Sequence, residues 1–374
     1  MVWRMLAFDM LEASFSLRRQ KRLLASIADE GLDAVVIGWT PHFYYYTAFR
    51  PFWLHEAALI LFADGRTIAI TPNEPAKAAA DDVMAFEASW TSTQRQDQPA
   101  AIAEIVVDEL RTRKAKAIGV DTSAVNLQVQ MQWETPCRSI DVEIWQLRRR
   151  KDPDELALMR KSFACVDAMY RKAREIIEPG IDEIRVFSEL NAAALAEAGE
   201  PLSALLGNDY SCNAMGGPPK GGKTAKAGEI YIIDVGPAYR GYFSDASRGF
   251  SVGKNPTDAQ LFAQETLVKS HAIVAAMARP GASCAEIFEA VDQQLKEAVG
   301  RGLPHHLGHG VGLQPHEYPH LNPRWDDVLM EGEIVTAEPG IYGPELSFGI
   351  RLENTYLVKA DGLESLVSFP MELS

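Results

Sequence analysis

Apolar residues recur at helical spacing through residues 16–30 and stop at Gly31. Residues 33–38 (DAVVIG) then read as a strand, apolar on both faces and so buried. ALILFA (58–63) and RTIAIT (66–71) flank Asp64-Gly65, a dipeptide that tolerates the positive φ of a tight turn, and predict a hairpin. Helices are expected near 99–114 and 125–133, and strands at 116–121 (KAIGVD) and 141–147. Tyr44, Tyr45, Tyr46, Phe52 and Trp53 form an aromatic segment expected in a core or an interface rather than a binding platform. The basic run at 148–151 (RRRK) reads as a solvated linker facing acidic neighbours. Asp152-Pro153-Asp154-Glu155 then opens a helix, with Asp152 at the N-cap, Pro153 at the first position and Glu155 reaching back. The pattern divides the chain into an α/β domain, 1–150, without an evident catalytic cluster, and a second domain, 151–374.

The second domain repeats itself. Glu178-Pro179-Gly180 opens a helical stretch that stops at Gly199, and Arg279-Pro280-Gly281 opens another that stops at Gly300. Each follows a long amphipathic helix and precedes a hairpin that carries acids. The first hairpin reads Gly228-Glu229-Ile230, then Asp234, Gly236, Gly241 and Asp245. The second reads Gly332-Glu333-Ile334, then Glu338, Gly340, Gly349 and Glu353. A supersecondary unit used twice, about an approximate two-fold axis, would bring both acid pairs together.

Four carboxylates and one imidazole, His309 of Gly308-His309-Gly310, would repel strongly at one point unless cations neutralised them. Two divalent ions balance four negative charges and activate a water, which points to a metallohydrolase. Oxygen-rich ligation with one imidazole suits Mn, Co, Zn or Fe. Residues 305–320 (HHLGHGVGLQPHEYPH) hold five of the eight histidines, interleaved with glycines that let the backbone approach closely. They offer one ligand, with further imidazoles suited to proton transfer. Ser247 is expected beside Asp245 on one strand face, where its hydroxyl could support a water or a carboxylate. Arg351 shares a face with Glu353. It either holds a metal-bound carboxylate or grips a substrate carboxylate, a surface ion pair being the plain alternative. No GxSxG elbow or catalytic cysteine setting occurs.

Composition adds boundaries. A chain of 374 residues accommodates two cores, and a net charge of −14 opposes nonspecific nucleic-acid binding. Four scattered cysteines form no CxxC and suit a reducing compartment. The opening stretch MVWRMLAFDMLEASFSLRR resembles neither a signal peptide nor a membrane span, so a cytoplasmic location without membrane attachment is expected.

Taken together, these motifs resemble the creatinase/aminopeptidase P/prolidase family. The likeness runs through RLLASIADEGLDAVVIGWTPHFYYYTAF, RRRKDPDELALMRKS, IIDVGPAYRGYFSDASRGF, HHLGHGVGLQPHEYP, TAEPGIY and IRLENT, in order and spacing. It implies a creatinase-like α/β N-terminal domain and an α+β pita-bread catalytic domain with an internal pseudo-two-fold repeat. Carried over by position, Asp234 holds one ion, Asp245 and Glu353 bridge, and His309 with Glu338 completes the second shell. His316 matches a catalytic or substrate-contacting histidine, and His305 one near the substrate. The resemblance implies an Xaa-Pro aminopeptidase or dipeptidase acting on a small peptide as a homodimer. The intact ligand set disfavours creatinase itself and noncatalytic relatives. Peptidases of the family usually carry a further histidine where residues 214–218 (AMGGP) stand here, and no histidine occurs between His55 and His271. A serine, Ser247, replaces the usual threonine. The missing histidine keeps open a carbon–nitrogen hydrolase or a lyase acting on a small non-peptide acid.

Overall fold

The computed structural model describes residues 10–52, 54–347 and 349–373; Trp53 and the start of the opening stretch, residues 1–9, lie outside them. Two compact units meet in sequence at Arg148 and Arg149.

The first unit starts with α1 (Ala13–Ser26), after which Gly31 takes a left-handed conformation, φ 67°, and turns the chain into β1 (Ala34–Ile37). All four residues of β1 are buried, as its unbroken apolar run requires. Then follow α2 (Thr40–Thr47), β2 (Ala58–Phe62), β3 (Thr67–Pro72), β4 (Asp82–Phe86) and the short pair β5 (Ser89–Trp90) and β6 (Thr93–Gln94). The unit closes with α3 (Gln98–Thr112), β7 (Ile118–Val120), α4 (Ala124–Gln132), β8 (Arg138–Ser139) and α5 (Asp141–Arg148). A mixed sheet, ordered β4-β3-β2-β1-β7-β8, packs α3 and α4 through Ile102, Val106 and Val125. The hairpin at Asp64-Gly65 forms, with Gly65 at φ 89°. Tyr44, Tyr45 and Tyr46 are core residues of α2, whereas Phe52 is 62% exposed.

The strand expected at 141–147 is instead the helix α5. Val142 and Ile144 mimic strand alternation, but burial falls on Asp141, Ile144 and Arg148, the spacing of one helix face. Asp141 accepts from the Thr122 N–H at 2.9 Å and the Thr122 hydroxyl at 2.6 Å, and acids in the first turn suit a helix N-terminus.

The second unit shows its duplication in backbone detail. Helices α6 (Pro153–Ile176) and α7 (Glu183–Ala198) correspond to α8 (Asp258–Met277) and α9 (Cys284–Val299). Reciprocal caps open both long helices, Asp152 with Glu155 and Thr257 with Gln260. Gly180 and Gly281, at φ 92° and 90°, donate to Ala225 O and Leu329 O, each at 2.8 Å. The acid hairpins begin alike: Gly228 N–H reaches Val252 O and Gly332 N–H reaches Val358 O, both at 2.9 Å.

After α7, β9 (Ala204–Cys212) pairs with β10 (Ile230–Tyr239), which also pairs with β11 (Tyr242–Phe243) and β12 (Ala246–Ser251). After α9 come β13 (Gly308–Gly310), β14 (Glu317–Leu321), β15 (Ile334–Ala337), β16 (Gly340–Ile341), β17 (Ile350–Arg351), β18 (Asn354–Lys359) and β19 (Gly362–Ser365). Five of these form a sheet ordered β14-β13-β15-β18-β19, and β16 pairs with β17. The two halves join where Glu353 N–H donates to Ser247 O at 2.9 Å, beside a core that includes Ile232, Leu267, Val335 and Leu352.

The basic run is not solvated. Arg149 is 6% exposed and pairs with Glu333 at 2.5 Å and Asp327 at 3.2 Å, and the Lys151 ammonium lies buried 3.5 Å from Glu317. Of these four residues Arg150 alone is exposed, because the acidic partners lie in the interior of the unit rather than on its surface.

Candidate metal centre

The duplicated hairpins deliver the acids. Asp234 lies within β10, opposite Ser247 of β12 on one side and Asp209 of β9 on the other. Asp245 stands in the turn that re-enters β12. Glu338 follows β15, its N–H held by Leu307 O at 2.7 Å, and Glu353 separates β17 from β18. His309 is the middle residue of β13, and its N–H donates to Thr336 Oγ1 at 3.0 Å. Glycine on either side permits that approach. A Cβ at Gly308 would stand 2.1 Å from Thr336 O, and one at Gly310 would stand 2.0 Å from Tyr318 O.

Potential ligand atoms of Asp234, Asp245 and Glu353 lie within 4.8 Å of one another, and those of His306, His309 and Glu338 do likewise. Asp245, His309 and His316 form a third such group, linking the first two. His309 Nε2 is 3.3 Å from Glu338 Oε1 and 3.8 Å from Asp245 Oδ2. Its Nδ1 lies 3.0 Å from Gly310 O, a contact that needs an Nδ1–H, and its Nε2 faces the acids.

Burial raises the pKa of Asp234, Asp245 and Glu353 well above the carboxylate range, and their mutual charges raise it further. Glu338 differs. Burial acts to raise it, but hydrogen bonds from His306 and His309 bring it down to about 2. Burial lowers His316 to about 4, with the His309 charge adding to the effect.

A divalent cation fits this set. It would neutralise carboxylates that repel one another, and its preferred oxygen and imidazole donors are present. The Ser247 hydroxyl, fully buried in the row between Asp234 and Glu353, has no hydrogen-bond partner among the described residues, as expected of a group meant for a ligand or its water.

Of the other residues singled out by sequence, His316 stacks on His309, with ring centroids 3.7 Å apart and 12° between planes. His305 lies off the carboxylates. Its Nδ1 meets His306 O at 2.8 Å, and its Nε2 accepts from the Tyr342 hydroxyl at 3.1 Å. Arg351 donates from Nε to Asp234 at 3.0 Å and from Nη1 to Tyr342 Oη at 3.2 Å, and Nη2 also pairs with Asp209. Three site residues escaped sequence reasoning. His306, whose Nε2 is 2.8 Å from Glu338 Oε1, was visible only as one more member of the histidine run. Tyr342 follows Glu338 by four residues and bounds a cavity of about 220 Å³ with Met215, Pro304 and Ile341. Asp209 had no local signal.

Among the described residues no helix is long and apolar enough to cross a membrane. Residues 157–360 match the model of metallopeptidase family M24, and residues 19–149 that of the creatinase/prolidase N-terminal domain. YkvY of Bacillus subtilis, which bears a provisional dipeptidase name, is 30% identical over 234 residues, covering 61% of this chain and 63% of that protein. The prolidase of Pyrococcus horikoshii OT3 superposes with a TM-score of 0.80 over 96% of this chain and 100% of its own, at 23% identity. An Xaa-Pro dipeptidase from Bacillus anthracis gives 0.81 over 96% and 99%, at 21% identity. These two structures share the two-domain fold, an α/β domain followed by a pita-bread domain. With its catalytic half matched across both copies of the acid hairpin, the chain belongs to metallopeptidase family M24, within the creatinase/aminopeptidase P/prolidase group.

Proposed function

We propose that the protein is a dinuclear metal-dependent peptidase that cleaves small Xaa-Pro peptides, as an aminopeptidase or a dipeptidase. The observation that carries this reading is the pair of neighbouring ligand groups, Asp234/Asp245/Glu353 and His309/Glu338, joined where Asp245 meets His309. Asp234 would hold the first ion, Asp245 and Glu353 both ions, and His309 with Glu338 the second, the metals being Mn, Co, Zn or Fe. When bound there, such ions supply Lewis acidity toward a carbonyl and acidify water.

The side chains divide the remaining work. Arg351 orients Asp234 and, through Tyr342, His305. His316 lies stacked on His309 and, with its pKa near 4, keeps a neutral ring at neutral pH that can accept a proton. The cavity bounded by Tyr342 suits a small side chain rather than an extended polymer. The prolidase and Xaa-Pro dipeptidase names of the structural neighbours favour proline-containing peptides. A homodimer and a cytoplasmic location accompany the proposal and are read by sedimentation and cell fractionation.

The test is hydrolysis by metal-reconstituted protein of Xaa-Pro dipeptides, longer Xaa-Pro peptides and matched peptides lacking proline. Cleavage before proline, abolished by chelation, is expected. No cleavage of any peptide with both ions bound would transfer the site to a small non-peptide acid, an outcome that residues 214–218 (AMGGP), without an imidazole, keep in view.

A further inference from the structure

Asp209 stands directly across the strand pair from Asp234, and two carboxylates so opposed destabilise a sheet unless a cation lies between them. Arg351 is that cation. Its Nε is 3.0 Å and its Nη2 2.9 Å from the same oxygen of Asp234, and Nη2 also pairs with Asp209 Oδ2. The second Asp209 oxygen accepts the Gly217 N–H. The loop closes over this carboxylate because residue 216 has no side chain: with φ at 140°, a Cβ there would lie 2.5 Å from Asp209 Oδ2. Asp209 is thereby held from two sides, and Arg351, 9% exposed, has its guanidinium divided between two acids and the Tyr342 hydroxyl.

We propose that Asp209 is a positioning residue for the metal centre: it draws the Arg351 charge away from Asp234, so that Arg351 orients this carboxylate without competing with the cation for it. The inference rests on the reading that Asp234 is a metal ligand. Without the Asp209 charge, Asp234 is the remaining carboxylate that the guanidinium hydrogen-bonds, and a fork facing a carboxylate closes on it bidentately. Both Asp234 oxygens would then be engaged, and an incoming ion would have to displace a buried arginine. Asp209 touches neither ion nor substrate in this scheme and acts only through Arg351.

The experiment uses full-length, metal-stripped protein titrated with Mn²⁺ alone against a competing chelator, and separately with Zn²⁺. Asp209→Asn keeps the size and the acceptor for the Gly217 N–H but removes the charge. It should weaken the tighter ion by about 10–100-fold, the usual cost of losing a partner behind a ligand. In an Arg351→Gln background the same change should shift affinity less than threefold, because the competing cation is gone. Melting of the metal-free proteins checks the fold. If Asp209→Asn does not fold, Gly216→Ala, which displaces the carboxylate but keeps its charge, must lower affinity in the same direction. Unchanged affinity in Asp209→Asn, or an equal loss with and without Arg351, overturns the proposal. A parent protein that binds neither ion overturns the metal reading as well, which separates the two failures.

Discussion

Asp245→Asn should move the stability of the metal-free and the metal-loaded protein in opposite directions. The side chain is 15% exposed and faces Asp234 and Glu338, with His309 Nε2 at 3.8 Å. Burial, then those charges, raise its pKa above the unfolded value. A carboxyl raised in the folded state supports folding fully below its unfolded pKa, and that support is lost as pH rises through the folded pKa. Above the unfolded pKa the raised carboxyl therefore weakens the metal-free fold, and asparagine removes that penalty. Relief of an uncompensated buried polar or charged group is worth about 1–3 kcal/mol. A domain of this size gains about 2–4 °C in Tm per kcal/mol. The advantage of the variant should shrink as pH falls toward 4, where the unfolded chain also takes up the proton. Metal reverses the order. An ion at a hundred times its Kd stabilises the parent by about 2.7 kcal/mol, and a hundredfold weaker site retains only about 0.4 kcal/mol of this. The assay is urea unfolding from pH 4 to pH 8, with and without Mn²⁺; urea is chosen because guanidinium salt would screen the charges. A metal-free variant no more stable than the parent at pH 8 refutes the repulsive carboxylate cluster. Retention of full metal stabilisation refutes a shared role for Asp245.

His316→Ala should lower turnover by about 10²–10⁴-fold with metal content unchanged, measured by elemental analysis beside steady-state kinetics; collapse of occupancy would make His316 a ligand, since its ring nitrogen lies within reach of Asp245 and His309. Metal-free His306→Ala should lose stability at a higher pH than the parent on acidification. The Glu338 carboxyl, held near 2, supports folding above its unfolded pKa and loses that support as pH falls toward 2, and His306 is the stronger of the two imidazoles that hold it there. An unchanged acid limb in urea unfolding would refute that assignment. Gly310→Ala should weaken metal binding and stability together, because its Cβ meets backbone, Tyr318 O at 2.0 Å; parent-like titration and melting curves would show that β13 can yield. Leu267→Ala, at a side chain with no exposure in the core of the second unit, should cost about 2–5 kcal/mol in urea, and a smaller loss would mean that the site collapses around the cavity.

Local chemistry by itself determined the repeated frame of this protein. Caps at Asp152 and Thr257, the left-handed glycines at 199 and 300 and the apolar acid-bearing strands each need only near neighbours, so their order in the chain shows a unit used twice. The same repetition singled out Asp234, Asp245, Glu338 and Glu353, and the glycine-flanked His309 joined them. Short-range pattern misled where it covered too few residues: Val142 and Ile144 imitate a strand, whereas the segment is a helix whose first residue, Asp141, is held by the N–H and hydroxyl of Thr122, nineteen positions earlier.

What surrounds the acids was decided by tertiary structure. Asp209 enters the site only because β9 pairs with β10 in the register that sets it opposite Asp234, and a shift of one residue would turn it to the other face. Arg351 could have met substrate, solvent or a ligand acid, and the folding of β17 beside β10 selected Asp234. Two adjacent histidines likewise received different partners, Tyr342 for His305 and Glu338 for His306. The buried Arg149 and Lys151 follow the same logic: a charge is exposed or interior according to where distant acids lie, and sequence composition carries no record of that distance.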